Sequence, residues 1–303
     1  MDIKAIAADD YAPLDLAGGC LKQYGRNIRR WIEAGLINVE DCYVFYADGA
    51  IVGGVCFRDD TPKEREILDF ALITAELPHG APVLEKAVRL AANTETEAIG
   101  YNLYDDIEQY ADIRALFLQA GFRVAQTKKS YSYERPEPPQ ITGGLTFRSV
   151  AKVGEERFVN AVRDVTIGTL DKLMAEDAAR RGGDRAAREY VDGMKELDFN
   201  ADWWRLGYRG HELIGLVLPQ KLGDAIGGIN YVGVLPRHRG QGYGAIMIAE
   251  GTRVLHEGGM RKIIADIDAE NHPMAAALER VGYTFQMDES VLRREKQEDG
   301  QRT

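Results

Sequence analysis

This 303-residue sequence predicts an α/β protein built from two similar units in tandem. Two observations predict it. A run rich in proline and glycine breaks the chain near its middle, and the same succession of hairpin, strand, helix, strand, helix and glycine–aromatic pair stands on both sides of the break.

The break is Glu134-Arg135-Pro136-Glu137-Pro138-Pro139-Gln140-Ile141-Thr142-Gly143-Gly144. Three prolines and two glycines in a short polar run sustain neither a helix nor a central strand. It therefore predicts a linker at 135–144 between domains 1–134 and 145–303. In the first domain, Cys42-Tyr43-Val44-Phe45-Tyr46 and Ile51-Val52-Gly53-Gly54-Val55-Cys56-Phe57 are β-rich runs around the hairpin signal Ala47-Asp48-Gly49. A strand, a helix at 82–92, a strand at 99–104 and a helix closing on Ala120-Gly121-Phe122 follow. In the second, runs at 203–208 and 213–218 flank Arg209-Gly210-His211-Glu212. A strand, a helix at 244–257, a strand at 262–267 and a helix closing on Val281-Gly282-Tyr283 follow in the same order. Glycine just past a helix end takes the left-handed cap, and the aromatic starts the next strand. Duplication explains the repeated order; the alternative is two unrelated α/β domains.

Between 155 and 198 the chain is charged and helical, with Phe158, Val162, Val165, Leu170, Leu173 and Met174 at helical spacing. Arg181-Gly182-Gly183-Asp184 interrupts it, predicting two helices, or a helix and a lid, before a strand at Trp203.

Composition narrows the function. A net charge of −10 and 28% charged residues describe an acidic globular protein and speak against a nucleic-acid partner, which needs a basic face. Cys20, Cys42 and Cys56 are few, odd in number and not spaced like metal ligands, so no metal is expected and a reducing compartment is. Met1-Asp2-Ile3-Lys4 lacks the basic start and apolar run of a signal peptide, and no segment is apolar for long enough to span a bilayer. The expectation is a cytoplasmic protein with no membrane partner. A homodimer is compatible with this reading.

One loop carries chemistry. Ile229-Asn230-Tyr231-Val232-Gly233-Val234-Leu235 reads as a strand ended by Pro236. Arg239-Gly240-Gln241-Gly242-Tyr243-Gly244 follows, then a helix. A glycine-rich turn from strand to helix leaves backbone N–H groups at a helix N-terminus, where the helix dipole favours an anion. Glycines at 240, 242 and 244 do not make the dinucleotide fingerprint Gly-x-Gly-x-x-Gly, and no Gly-Lys-Ser/Thr follows, so this is not a P-loop.

The run Val234-Leu235-Pro236-Arg237-His238-Arg239-Gly240-Gln241-Gly242-Tyr243-Gly244 resembles the cofactor signature of the GNAT acetyltransferases, Arg/Gln-x-x-Gly-x-Gly/Ala after a strand. Asn271-His272-Pro273-Met274-Ala275-Ala276-Ala277-Leu278-Glu279-Arg280-Val281-Gly282-Tyr283 resembles the second GNAT signature, an Asn followed by a helix and a Gly–aromatic pair. The resemblance covers the C-terminal half well, and the N-terminal half only in its order of elements. It implies two tandem GNAT-like domains, each a twisted mixed, mainly antiparallel sheet flanked by helices. It implies acetyl-CoA as acyl donor and acetyl transfer to a primary amine of a small molecule or peptide. The amides of Arg239, Gly240, Gln241, Gly242, Tyr243 and Gly244 are then expected to hold the pyrophosphate. The strand edge at Val232 and Val234 is expected to pair with the pantetheine arm, with the Val232 amide toward the thioester oxygen. Asn271 binds the pantetheine end or caps the next helix.

The sequence departs from the family where catalysis is concerned. The position that often carries the base Glu is Gly228, and the position that often carries the acid Tyr is Leu278. Some relatives carry a carboxylate on the next strand, five residues before the Asn. That residue is Asp266 here, with Asp268 expected on the same strand face. Asp266 and Asp268 are thus the catalytic candidates, the alternative being solvated carboxylates or a helix cap. His238 and His272 read as polar surface. Tyr231 and Tyr243 read as packing residues with a hydroxyl able to donate a proton. The N-terminal counterpart of the loop, Leu77-Pro78-His79-Gly80-Ala81-Pro82, has one glycine and no arginine, so that half is expected to bind no coenzyme A. The missing Glu and Tyr keep two rival functions open: a non-catalytic acyl-CoA sensor, and an acyltransferase with another acyl donor or acceptor.

Overall fold

The computed structural model describes residues 1–6, 19–61, 63–141 and 143–296. Thr142 of the expected linker lies outside them, as do residues 7–18, 62 and 297–303 of the two expected domains. The chain forms two compact units: residues 1–125 with 289–303, and residues 126–288.

The N-terminal unit starts with β1 (Asp2–Ala5), α1 (Gly19–Glu33), β2 (Cys42–Ala47), β3 (Ala50–Thr61) and β4 (Glu64–Leu72). A 3-10 segment at Thr74–His79 leads to α2 (Ala81–Ala91), β5 (Ala98–Tyr104) and α3 (Tyr110–Gln119). Its strands pair antiparallel in chain order from β1 to β4. Then β4 and β5 run parallel over only four residues, Glu64–Ile67 against Ala98–Tyr101. The face covered by α2 and α3 buries Phe70, Leu84, Leu103, Leu116 and Phe117, and the other face buries Tyr24 and Ile28 of α1.

The C-terminal unit repeats the plan. Into it fall β7 (Thr146–Ser149), α4 (Val150–Val153), α5 (Glu155–Thr166), α6 (Lys172–Arg181) and α7 (Gly183–Glu196). Next come β8 (Arg205–Arg209), β9 (Glu212–Lys221), β10 (Ile226–Val234), α8 (Tyr243–Glu257), β11 (Lys262–Asp268) and α9 (His272–Val281). The strands pair antiparallel from β7 to β10. Then β10 and β11 run parallel over Ile226–Gly228 against Lys262–Ile264 and part company. One face packs under α8 and α9 with Met247, Ile248, Ile263, Ala265, Ile267 and Leu278. The other packs under α5 and α7 with Phe158, Val162, Val191 and Trp204.

The expected hairpins, helices and glycine–aromatic corners are present, the corner glycines Gly121 and Gly282 both having positive φ (85° and 109°). Two expectations differ from the structure. The segment 155–198 forms three helices after the turn α4, not two. The additional break falls at Gly168–Asp171, where Gly168 has φ 62° and Asp171 caps α6 by accepting from the Met174 amide. A leucine at 170 keeps the apolar spacing running through the break, which hides it in the sequence.

The units also divide elsewhere than at 135–144. The strand after each corner adds to the sheet of the other unit: β6 (Arg123–Tyr133) pairs with β11 through Lys128–Tyr133, and the second half of β12 (Thr284–Glu295) pairs with β5 through Glu289–Glu295. The polar run at 135–144 is therefore a loop of the C-terminal unit. His256 Nε2 bonds Pro136 O at 2.9 Å, and Ile141 packs on the α8–α9 core. Composition marks the absence of regular structure there; it does not say which sheet edge the preceding strand will join. Among the described residues, no helix is long and apolar enough to cross a membrane.

Candidate active site

The site begins with the parting of β10 from β11. Past Gly228 the edge of β10 facing β11 is no longer paired to it. The register of β10 against β9 slips between Ile229 and Tyr231, so Asn230 is the extra residue of a bulge. A bulge bends the strand and increases its twist, which widens such a gap.

Hydrogen bonding gives the direction of each peptide along the open edge. Leu235 N donates to Ile214 O at 2.9 Å, toward β9. Alternation then turns Gly233 and Tyr231 toward β9, and Val234 and Val232 toward the gap. Val232 thus presents both N–H and C=O to the gap, and Val234 its N–H. The Val234 carbonyl accepts from Arg239 Nε at 3.1 Å.

The gap opens into a cavity of about 610 Å³ whose wall includes Val232–Val234, Gly240, Gly242–Ala245, Asn271, Met274 and Arg280. At one end Gly240 (φ 76°) and Gly242 (φ 81°) sit in left-handed conformation, which an L side chain adopts only under strain. That geometry folds the loop back so that the chain enters α8 with its first turn on the cavity. First-turn N–H groups have no acceptor inside their own helix and concentrate the positive end of its dipole. A cradle of this kind suits a phosphate group.

The Arg239 side chain points elsewhere. Its guanidinium donates to the carbonyls of Val165, Ile167 and Gly168 at 2.8, 2.9 and 2.7 Å, clasping the end of α5 onto the loop. Gln241 Nε2 bonds back to Arg237 O at 3.4 Å, and Gln241 is not on the cavity wall. For both residues, only the backbone remains a candidate for anion contact. Asn271 lines the cavity and also caps α9, Oδ1 accepting from Met274 N at 3.3 Å.

The two carboxylates expected to catalyse lie apart from this wall. Side chains of Ile263, Ala265 and Ile267 pack under α8 and α9, so alternation turns Asp266 and Asp268 to the face of α5–α7. Asp266 is exposed. Asp268 is buried and takes three donors: Gln126 Nε2 at 3.1 Å, Lys172 N at 3.3 Å and Glu270 N at 3.0 Å. The usual base and acid positions are filled by packing. A Cβ at Gly228 would stand 2.8 Å from Leu222 Cδ1, and Leu278 lies in the core at 1% exposure.

Four wall residues carry more than the sequence assigns them. Tyr231 is on the cavity wall, with its hydroxyl 2.9 Å from Thr166 Oγ1. Thr166 spends its single proton on Val162 O at 2.8 Å, so Tyr231 is the donor of the pair. Burial pushes the Tyr231 hydroxyl up to about 12, against the lowering effect of Thr166. It stays protonated at any ordinary pH. His238 also lines the cavity, 3.0 Å from Glu212 Oε1 but without hydrogen-bond alignment, and Tyr243 accepts from Arg209 at 3.0 Å. Arg280 stands beside the loop, its Nη1 3.4 Å from where a Cβ of Gly242 would lie. Pro273, Ala276, Ala277 and Arg280 recur at helical spacing, a pattern that marks the cavity face of α9 and is visible in the sequence.

Residues 171–283, the part that holds both signatures, match the model of the acetyltransferase (GNAT) family. That segment of the chain is similar to the GNAT acetyltransferases. Over 90 residues the chain is 32% identical to a mycothiol acetyltransferase of Corynebacterium efficiens, covering 28% of this chain and 30% of that protein. Over 166 residues it is 30% identical to one from Streptomyces bingchenggensis, covering 48% of this chain and 54% of that protein. The chain thus spans about a third to a half of the length of these curated relatives. A solved GCN5-related N-acetyltransferase from Sphaerobacter thermophilus covers 97% of this chain and 95% of its own with TM-score 0.65 and 16% identity. That likeness is one of fold, and it extends the GNAT architecture over both units.

Proposed function

We propose that this chain transfers an acetyl group from acetyl-CoA to a primary amine of a small molecule or peptide, in the cavity of the C-terminal unit. The observation that carries the reading is the continuous run from the open β10 edge to the first turn of α8. One end offers peptide groups to an amide-bearing arm, and the other offers N–H groups to a pyrophosphate. Val232 and Val234 would pair with the arm as a neighbouring strand would. Gly240–Gly244 amides and Arg280 would hold the anion.

Acetyl-CoA, when bound, supplies the acyl group: the free amine nitrogen bonds to the thioester carbonyl carbon and gives up a proton to solvent, the C–S bond breaks, and the thiolate leaves as free thiol once protonated. Val232 N–H is directed where a developing oxyanion can be met. Tyr231, protonated and on the wall, is the proton donor for the thiolate; its O–H rotates away from Thr166 to act. The curated relatives are named mycothiol acetyltransferases, which favours a small-molecule acceptor over a peptide.

Thiol release from acetyl-CoA in the presence of a panel of primary amines, with mass spectrometry of the product, tests the reading. Amine-dependent release with a product 42 Da heavier is expected from replacement of N–H by N-acetyl. Tight acetyl-CoA binding with no release from any amine would assign the chain to the sensor class. Release with another thioester alone would change the donor.

A further inference from the structure

The cavity has two sides of different character. On the α8–α9 side stand the glycine loop, Asn271 and Arg280, with the groups that suit an anion. On the other side stand Val165 at the end of α5, the residues Gly168, Thr169 and Leu170 of the break before α6, and Tyr231 on β10. Thr166 ties the parts of this second side together, because its hydroxyl accepts from Tyr231. Tyr231 precedes Val232, whose amide faces the gap. A cofactor laid from the glycine loop along the β10 edge therefore ends beside Tyr231, and whatever attacks its thioester approaches past the break.

What the break offers is apolar. Its polar groups are already engaged. The carbonyls of Ile167 and Gly168 accept from Arg239, the Thr169 amide donates to Thr166 O at 3.0 Å, and the Thr169 hydroxyl accepts from Asp171 N at 3.2 Å. Leu170 lines the cavity at 53% exposure and packs into neither apolar cluster of the unit. Ile167, in the same break, is 62% exposed. An aliphatic side chain held to water on a cavity wall favours an apolar body that covers it, in proportion to the area removed from water.

The charge of the wall points the same way. Among the described residues that line it, none is Asp or Glu; apart from the tyrosines, the ionisable ones are His238, Arg239 and Arg280. Arg239 is engaged with carbonyls, and Arg280 stands beside the glycine loop. Asp171 follows Leu170 but is off the wall, its carboxylate accepting from Met174 N and Gln126 Nε2. Stripping an ammonium of water costs free energy that a facing carboxylate would offset, and the wall supplies none. An uncharged nitrogen avoids that cost, and it is also the form that attacks a thioester.

We propose that the acceptor is a weakly basic primary amine on an apolar body, of the arylamine class, which packs on Leu170 and reaches the thioester as the free base. The assignment rests on the acetyl-transfer reading for the amine as acceptor. Leu170 is then the residue that selects among amines.

The experiment measures steady-state thiol release with acetyl-CoA and 4-ethylaniline, its isomer phenethylamine, or glycinamide. The two isomers share an apolar body and differ in basicity, and glycinamide is small and polar. At neutral pH 4-ethylaniline is expected to give the highest kcat/KM of the three, nearly constant from about pH 7 to 9. For phenethylamine kcat/KM is expected to climb about tenfold per pH unit as its free base appears. Leu170→Ser is expected to raise the 4-ethylaniline KM about tenfold with the acetyl-CoA KM within about twofold, and Leu170→Met to stay near the wild type. Leu170 is exposed and outside the core, so these variants are expected to fold. A higher kcat/KM for glycinamide overturns the apolar class, and a flat profile for phenethylamine overturns entry as the free base. An unchanged 4-ethylaniline KM in Leu170→Ser, or a parallel rise in both constants, overturns the role of Leu170; all three results leave acetyl transfer standing. If no amine of any class releases thiol, acetyl transfer itself fails. Calorimetric titration of 4-ethylaniline into coenzyme A-loaded protein then decides the apolar subsite: weaker binding in Leu170→Ser supports it, and no binding to the wild type overturns it.

Discussion

Both units part a parallel pair of strands at the same point of the same plan, and they treat the gap in opposite ways. In the N-terminal unit β4 leaves β5 after Ile67, and the strand runs on into buried Phe70, Ala71 and Leu72. The connection to α2 is a 3-10 segment ending on Gly80, which has φ −77°. A Cβ at Gly80 would stand 2.4 Å from Leu116 and 2.6 Å from Leu72. The turn is packed against core leucines, and Pro82 withholds one first-turn amide. In the C-terminal unit the corresponding turn carries two glycines at positive φ and stands on a cavity. The shared parting of strands belongs to the architecture. Whether it becomes a binding cleft depends on a few residues that either fill the gap or bend away from it.

The strongest way to break this comparison is to count ligands. Calorimetry is expected to find one acetyl-CoA per chain, and two sites would show that the packed turn of the N-terminal unit opens. Gly242→Glu is expected to remove binding, by about a hundredfold or more. It places a Cβ at φ 81°, beside Arg280, and a negative charge where the pyrophosphate would sit. Wild-type affinity in this variant would move the cofactor out of the loop.

A smaller effect separates chemistry from binding within the C-terminal unit. Tyr231→Phe keeps the ring and loses the proton, so turnover is expected to fall by about ten- to a hundredfold with acetyl-CoA affinity unchanged. The hydroxyl has to be protonated to donate, and burial holds it up at about 12. Hence this group is expected to produce no alkaline loss of rate below about pH 11, whereas an ordinary tyrosine would begin to fail near pH 10. An alkaline limb near pH 10 that persists in Tyr231→Phe would assign the acid elsewhere.

Much of the fold could be read before the structure, because its markers are local. Gly121-Phe122 and Gly282-Tyr283 mark helix ends through a backbone conformation that glycine adopts readily, and Asp48-Gly49 marks a hairpin for a related reason. Local signals do not report which edge a strand joins, so the crossing of β6 and β12 into the other unit's sheet was not legible. The cofactor loop was legible because spacing along one segment makes it. The role of Leu170 was not: it continues the helical spacing of Phe158, Val162 and Val165 and so reads as core, whereas it stands on the cavity wall. Asp171 did carry a signal, an N-cap before Lys172-Leu173-Met174, hidden by the continuing apolar period.

Arg239 sharpens the comparison at lower amplitude. The N-terminal turn has no arginine, and there core leucines do the fastening. In the C-terminal unit Arg239 ties Val234 and the end of α5 together through four carbonyls. Its side chain is exposed, so each bond is screened. Arg239→Ala is expected to weaken acetyl-CoA binding by about five- to tenfold and to lower the melting temperature by a few degrees. A loss of affinity as large as that of Gly242→Glu would mean that the guanidinium leaves its carbonyls to bind the anion directly.

The smallest expected effect is at Asp266, the residue whose place in the sequence pattern is most suggestive of catalysis. It lies on β11 opposite Ser130, two residues beyond the last pairing with β10. Proximity along the strand thus favours it, but its surroundings do not. It is exposed, it is not on the cavity wall, and no hydrogen bond from the described residues orients its carboxylate. A base has to be held within reach of the proton it takes, and an unheld surface carboxylate spends most of its time solvated. Asp268, two residues on, is the reverse case: buried and oriented by three donors, it is already committed to Gln126, Lys172 and Glu270. Asp266→Asn is therefore expected to leave turnover and acetyl-CoA affinity within about twofold, the range of an ordinary surface change. A fall of a hundredfold that recovers as pH is raised would restore Asp266 as the base, since alkaline solution supplies amine already free of its proton. It would also mean that β11 turns this side chain into the gap when the acceptor binds.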